Sequence, residues 1–136
     1  MLFRSTAHFS PDGKRVVTAS NEGMARLWDA ATSEPIGEPM IHKARAYTAE
    51  FNSDGTRVVT ASTDTTARVW DGITGAPITP PLQHQREVKS AKFSPDGSTV
   101  LTASEDTSAQ LLGRRDGAGA GRSVTAPWRD LAGNVQ

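Results

Sequence analysis

A histidine, a serine and an aspartate lie near the middle of the chain, at His42, Ser62 and Asp64. These are the residue types of a nucleophilic triad, in which an imidazole takes the proton of a serine hydroxyl and a carboxylate orients the imidazole. The sequence has no oxyanion loop and no Gly-x-Ser-x-Gly turn to accompany them. The trio also recurs farther along the chain, and enzymes rarely duplicate a whole catalytic site. We therefore expect a structural role and no catalytic residue. The second trio is His84, Ser104 and Asp106.

Other reactive groups are sparse. The chain has no cysteine and three histidines, of which only His8 lies outside the two trios, so we expect no metal site and no cofactor. The glycine-rich segment 117–121 lacks the preceding strand, the following helix and the closing Gly-Lys-Ser/Thr of a phosphate loop. Lys and Arg together number 15, as do Asp and Glu, and no aromatic ladder runs beside a basic stripe. Nucleic acid is therefore not an expected partner.

The sequence carries no signal for membrane insertion or export. No apolar run approaches the roughly 18 residues that a membrane span needs. The first residues do not combine a charged leader with an apolar stretch, as a signal peptide would. We expect no membrane partner and a cytoplasmic location.

The strongest pattern in the chain is an internal repeat. One segment, ending in Thr-Ala-Ser, begins at Phe9, Phe51 and Phe93, an interval of 42 residues each time. A constant period of this size is typical of repeat units that bury their faces against their neighbours. We divide the chain into units of about 1–41, 42–83 and 84–112. A Gly/Arg-rich tail over 113–136 follows, and we expect it to be disordered.

Each unit is predicted to form four short strands. Turn residues separate β-branched runs, and no helical periodicity competes with them. Proline cannot donate to a strand ladder, so Pro80-Pro81 should end the fourth strand of the central unit. The predicted strands of that unit are Ala46–Phe51, Arg57–Ser62, Thr66–Asp71 and Ala76–Thr79.

The period, the Phe-Ser-Pro-Asp-Gly turns and the pairs Trp28-Asp29 and Trp70-Asp71 resemble the WD-repeat β-propeller family, in the manner of a bacterial-type array. The resemblance covers about residues 3–111. It implies an all-β, incomplete β-propeller with two full four-stranded blades and most of a third. It also implies a non-catalytic scaffold whose partner is a protein or a peptide.

In that family a hydrogen-bonded set of histidine, hydroxyl, aspartate and tryptophan holds each blade. By this resemblance the second unit has the whole set, and the third has Leu112 in place of the tryptophan. The first unit has Glu22 in place of the aspartate and lacks the histidine. The positions are His42, Ser62, Asp64 and Trp70 in the second unit, His84, Ser104 and Asp106 in the third, and Ser20 and Trp28 in the first.

The resemblance also implies a partner-binding face at the loops that open the first strand and join the second strand to the third. Arginine and tyrosine are frequent anchors of interfaces. The charges at these positions have both signs, so they predict no charge for the ligand. The candidate face comprises Phe3, Ser5, Asn21, Arg45, Tyr47, Thr63, Glu87, Lys89 and Glu105.

Fewer than three complete blades cannot close a propeller, and open sheet edges invite pairing. Three outcomes are open: the chain associates with itself through open blade edges, it docks on the propeller of another protein, or it is a fragment of a larger signalling or regulatory protein. Deleting one base from a permitted codon choice for residues 111–117 would restore Leu-Trp-Asp-Ala-Ala-Thr-Gly, close to residues 27–33. A frameshifted remnant without independent function is therefore an alternative.

A further alternative is a ligand or catalytic site that forms on oligomerisation from side chains of the first strands. His8, Glu50 and Lys92 occupy one repeat position with three different chemistries. A symmetric site would need like groups there, which weakens this alternative.

Overall fold

The computed structural model describes residues 6–113 and 122–124, and every regular element in these ranges is a β-strand. The strands form three antiparallel sheets of four strands each, in chain order. The first sheet contains β1 (Thr6–Phe9), β2 (Arg15–Ala19), β3 (Met24–Asp29) and β4 (Pro35–Ile41). The second contains β5 (Ala46–Phe51), β6 (Arg57–Ser62), β7 (Thr66–Asp71) and β8 (Leu82–Gln83). The third contains β9 (Val88–Phe93), β10 (Thr99–Ser104), β11 (Ala109–Gly113) and β12 (Arg122–Val124).

An aspartate and a glycine close the hairpin between the first two strands of each sheet. In the first sheet, Asp12 Oδ1 accepts a hydrogen bond from the Lys14 N–H at 2.9 Å, and Gly13 has a φ of 71°. Glycine adopts this left-handed conformation without a Cβ clash. The arrangement recurs with Asp54 and Gly55 in the second sheet, and with Asp96 and Gly97 in the third.

The sheets pack face to face, with the second sheet between the other two. Successive side chains of a strand point to opposite faces, so neighbouring valines of β6 enter different cores. Val58 packs against the first sheet and Val59 against the third. The first core contains Val17, Ala19, Ala25, Leu27, Met40, Ala46, Ala49, Val58 and Trp70. The second contains Val59, Ala61, Ala67, Val69, Val88, Ala91 and Val100.

The fourth strand of the second sheet differs from the prediction. The sequence predicts a strand over Ala76–Thr79, but this segment forms only an isolated bridge, between Trp70 and Pro77. The strand β8 instead follows the two prolines, where Leu82 pairs with Ala67. Because Pro80 and Pro81 have no N–H to donate, they interrupt the pairing with β7, which then resumes beyond them.

Part of the tail adds the fourth strand of the third sheet. The strand β12 pairs antiparallel with β11, with Gln110 opposite Ser123. Gly113 and Arg122–Val124 thus form strands within the segment 113–136 that the sequence predicts to be disordered. The physical reason is that the edge of β11 offers unpaired N–H and C=O groups, which an extended segment satisfies. The rest of the tail, 114–121 and 125–136, lies outside the described residues.

The predicted fold class is confirmed. The chain is all-β, and its four-stranded sheets are blades of an incomplete propeller, with no closed barrel among the described residues. No helix in this part of the chain is long and apolar enough to cross a membrane.

Candidate functional site

A buried hydrogen-bonded set stabilises the second sheet. Asp64 Oδ2 lies 3.0 Å from His42 Nδ1, and this ring nitrogen must carry the proton because a carboxylate only accepts. His42 Nε2 then accepts a hydrogen bond from the Thr60 hydroxyl, 2.6 Å away. The Thr60 oxygen in turn accepts one from Trp70 Nε1 at 2.9 Å. Each of these links gives a polar group a partner, which offsets the cost of burying it.

The protonation states of the set follow from its burial. Burial lowers the pKa of His42 below the usual 6.5 by more than the neighbouring Asp64 carboxylate raises it, so the imidazole is neutral at neutral pH. Partial burial raises the pKa of Asp64. Hydrogen bonds from Thr66 and from the Lys43 N–H outweigh that effect and bring the Asp64 pKa below its usual 3.8.

Ser62, which the sequence places in this set, does not belong to it. Its hydroxyl donates to the carbonyl oxygens of Ala44 and Arg45, at 3.2 and 2.8 Å, and accepts from the Asp64 N–H at 3.1 Å. Thr60 and Ser62 lie on the same face of β6, but Ser62 is the last residue of the strand and Thr60 lies nearer the indole. The imidazole therefore bonds a threonine, and His42 with Ser62 is not a nucleophile–base pair.

The third sheet has the imidazole half of the set. His84 Nε2 lies 2.7 Å from Thr102 Oγ1, and His84 Nδ1 lies 3.0 Å from the Ser108 hydroxyl and 3.5 Å from Asp106. Ser104, predicted as the hydroxyl, instead donates to backbone carbonyl oxygens, those of Arg86 and Glu87. Leu112 lies opposite Val100 in the strand register. Trp70 lies opposite Val58 in the same way in the second sheet, so Leu112 occupies the position of the tryptophan.

The first sheet has the indole half. Trp28 Nε1 donates to Thr18 Oγ1 at 3.0 Å, and Ser20, the predicted hydroxyl, lies just beyond the end of β2. Sequence reasoning thus missed the threonine in all three repeats. The signal was present, because Thr18, Thr60 and Thr102 recur at the same interval as the serines and two residues before them. In each repeat the threonine and the serine two residues later point to the same face of the strand, so the alternation of side chains does not show which of the two bonds the histidine or the tryptophan.

Five residues of the predicted partner-binding face meet at one place, which we call the Tyr47 cluster. Lys89 Nζ donates to the Tyr47 hydroxyl at 2.7 Å, and that hydroxyl donates to Glu87 Oε2 at 3.1 Å. Lys89 also forms ion pairs of 3.0 Å with Glu87 and with Glu105. Arg45 completes the cluster, its Cζ lying 5.3 Å from the centre of the Tyr47 ring. The cluster joins the start of β5 in the second sheet to the start of β9 and the end of β10 in the third.

Hydrogen bonding sets the charge states within the Tyr47 cluster. The contact with the Tyr47 hydroxyl, together with those to Glu87 and Glu105, raises the pKa of the Lys89 ammonium well above its usual range. The Lys89 hydrogen bond, with a smaller contribution from Tyr47, lowers the pKa of Glu87. Lys89 and Glu87 are thus both charged at neutral pH.

In the second and third sheets, a backbone hydrogen bond joins the loop between the second and third strands to the residue just ahead of the first strand. The Thr63 N–H donates to the Arg45 carbonyl at 2.9 Å, and the Glu105 N–H donates to the Glu87 carbonyl at 3.0 Å. Asn21, the equivalent of Thr63 in the first repeat, is half-buried, and its Oδ1 has no hydrogen-bond partner among the described residues. Phe3 and Ser5, also predicted to belong to the face, lie outside the described residues.

The first strands bring together no reactive group of side chains. His8 and Lys92 are exposed, Glu50 is half-buried, and no ion pair found among residues 6–113 joins them. In the described part of the chain, no group of three or more His, Asp or Glu side chains could hold a metal ion. The ligand site considered from sequence thus gains no support.

Comparison with protein families agrees with the repeats and the sheets. The family profile for the WD domain, G-beta repeat (WD40) matches residues 4–29, 34–71 and 77–111, well over half of the chain. A search of curated proteins gives no match. WD40 repeats generally mediate protein–protein interaction, and domains built from them are typically non-catalytic scaffolds with protein partners. The chain belongs to the WD40-repeat family.

Proposed function

We propose that this chain is a non-catalytic scaffold that binds a protein or peptide through the Tyr47 cluster. The observation that carries the proposal is the convergence of two neighbouring blades on one tyrosine. Arg45 precedes the first strand of the second sheet, whereas Glu87, Lys89 and Glu105 come from the third sheet. Tyrosine and arginine dominate the energetics of many interfaces, so this cluster is a suitable anchor for a partner.

The geometry holds Tyr47 in place before any partner arrives. The Arg45 Cζ lies 5.3 Å and the Lys89 Nζ lies 4.4 Å from the centre of its ring, and its hydroxyl both donates and accepts. A side chain that is already ordered loses less conformational entropy on binding. Tyr47 is only half-buried, which leaves part of its surface for a partner.

The Tyr47 cluster has no net charge, since the two basic residues Arg45 and Lys89 are matched by two acidic residues, Glu87 and Glu105. A balanced surface attracts neither acidic nor basic partners over long distances. We therefore expect binding to depend on contact with Tyr47 and only weakly on ionic strength.

The test is a selection of peptides from a random display library against the full chain. Affinities of the selected peptides are then measured for the unaltered protein and for Tyr47→Ala, Tyr47→Phe and Ile73→Ala. Ile73 is an exposed apolar residue in the turn after β7, at the opposite end of that strand from the Thr63 loop, and serves as the matched control.

We expect Tyr47→Ala to weaken binding by about 30-fold, the size of an interface hot spot. Tyr47→Phe, which keeps the ring, should lose less, and Ile73→Ala should bind as the unaltered protein does. Peptides that bind Tyr47→Ala as tightly as the unaltered chain, while that variant keeps its unfolding midpoint, would refute the cluster as the binding face.

The sequence also suggests a larger signalling or regulatory protein, a frameshifted remnant and a cytoplasmic location, and these stay predictions. Reading the DNA from about codon 105 in all three frames tests the first two. Further Trp-Asp repeats in a shifted frame would support both the larger array and the frameshift, whereas their absence from every frame would contradict both.

A further inference from the structure

Among residues 6–113 and 122–124, the two faces of the central sheet are both covered by a neighbouring sheet, and each outer sheet has one face that no other sheet covers. We call the side of a sheet that points toward the preceding sheet its near face, and the opposite side its far face. On the second sheet, near-face Val58 and Trp70 are 0% and 4% exposed, and far-face Val59 and Val69 are 0% and 2% exposed. The first and third sheets provide this cover.

The near face of the first sheet has the same kinds of residue without the cover. Phe9 lies one repeat before Phe51 and is 70% exposed, whereas Phe51 packs against the first core. Val16 and Trp28, the equivalents of Val58 and Trp70, are only half-buried. The apolar positions that are covered in the second sheet are thus in contact with solvent in the first.

The far face of the third sheet is uncovered in the same way. Leu101 and Leu111 are 46% and 36% exposed. They lie one repeat after Val59 and Val69, which are buried under the third sheet. Both positions remain large and apolar, although nothing in the described part of the chain covers them fully.

These two uncovered faces are the two halves of a contact that the chain already forms twice. At the junction of the first and second sheets, far-face Val17 and Leu27 share a core with near-face Val58 and Trp70. The junction of the second and third sheets repeats the same contact. The far face of the third sheet and the near face of the first are therefore complementary to each other, and removing both from water is favourable.

We propose that the far face of one copy packs on the near face of a second copy, and that two copies close head to tail into one ring. A head-to-tail contact closes into a ring when its rotation permits. Each copy supplies three sheets. Two copies thus fall within the roughly 4–8 blades of known propellers, and three copies would exceed that range. The contact uses sheet faces rather than strand edges, and it does not depend on the Tyr47 cluster.

The first measurement is the mass of the full chain in solution, by light scattering and native mass spectrometry over a series of concentrations. We expect twice the 14.5 kDa of one chain. The variants Phe9→Asp on the near face and Leu101→Asp on the far face should each be monomeric. Ile73→Asp, an exposed apolar residue outside both faces, should remain paired, and Tyr47→Ala should leave the mass unchanged.

Mixing the two monomeric variants is the sharpest test. The Phe9→Asp copy keeps an intact far face and the Leu101→Asp copy an intact near face, so the mixture restores one of the two contacts of the ring. It should form a one-to-one pair that dissociates more readily than the pair of the unaltered chain. A pair built from like faces behaves differently, because the variant whose substitution lies outside the contacting face would still associate on its own.

Circular dichroism verifies that each variant keeps its sheet content, and Ala7→Asp and Leu111→Asp are second variants of the two faces. A mass of one chain at every concentration overturns the proposal and assigns the uncovered faces to blades of another chain. Pairing that survives both face substitutions, or variants that fail to pair when mixed, also overturns it. Masses above two copies overturn the two-copy ring.

Discussion

The first and third sheets each contain half of the hydrogen-bonded set that the second sheet contains whole. In the first sheet, Trp28 donates to Thr18. In the third, His84 bonds Thr102, and Leu112 has no group to donate. In the second, the Thr60 hydroxyl lies between an imidazole and an indole and bonds both.

This difference shows that the threonine links the histidine to the tryptophan in the hydrogen-bonded set. Its hydroxyl is the only kind of group there that donates to the imidazole and accepts from the indole at once. The second sheet, flanked on both faces, buries His42, Thr60 and Trp70, whereas Trp28 on the uncovered near face of the first sheet is only half-buried. The free energy that each residue contributes should therefore differ between sheets in a predictable order.

The largest effect is expected from Trp70→Ala. The side chain is 4% exposed and anchors Thr60, so its loss should destabilise the fold by about 4 kcal/mol. The matched change is Trp28→Ala, at a half-buried indole. With both substitutions made in the monomeric Phe9→Asp background, where no second copy covers the near face of the first sheet, Trp28→Ala should cost less than half as much. Urea unfolding monitored by circular dichroism measures both, and equal losses would show that burial does not separate the two sheets.

Thr60→Val should have an intermediate effect. Valine keeps the shape of threonine but leaves two buried groups, His42 Nε2 and the Trp70 N–H, without a partner, at a cost of about 3 kcal/mol. Thr102→Val in the third sheet leaves only His84 Nε2 unpaired and should cost about half of that. The comparison fails if the third-sheet variant is as destabilised as the second-sheet one.

The smallest effect is a dependence of stability on pH. The folded-state pKa of His42 is lowered from 6.5, so the unfolded chain binds this proton more readily. Its contribution to stability is complete above the unfolded pKa and declines as the pH falls below it. The lowered pKa of Asp64 adds a further loss, but only below its usual 3.8.

The measurement is the free energy of unfolding from about pH 8 to pH 5, for the unaltered chain and for His42→Gln. His8 and His84 are common to both proteins, so the difference between the two profiles isolates His42. The slope over this range should be shallower in the variant, and parallel profiles would contradict a buried neutral imidazole.

Much of the fold was predictable because its signals are local. The predicted strands Ala46–Phe51, Arg57–Ser62 and Thr66–Asp71 have the bounds of β5, β6 and β7, since turn residues follow each of them. The fourth strand was misplaced because the Pro80-Pro81 pair interrupts it without ending it. Pairing beyond the prolines depends on the position of β7, which no local pattern contains.

The candidate face was predictable only as a set of positions. Repeat offsets chose Arg45, Tyr47, Glu87, Lys89 and Glu105, and the structure brings these five together. Their binding role stays a prediction. Their pairing could not be predicted, because Lys89 reaches Tyr47 across the junction of two sheets, and that distance depends on how the sheets pack.

By itself, the sequence determined the period, the turns, most strands and the all-β class, since turn chemistry and alternation act over a few residues. The tertiary structure decided which hydroxyl joins His42 to Trp70, and it joined Lys89 to Tyr47. It also decided which repeated apolar faces are covered. These outcomes depend on strand register and on the packing of one sheet against the next, and they bring together residues far apart in the chain.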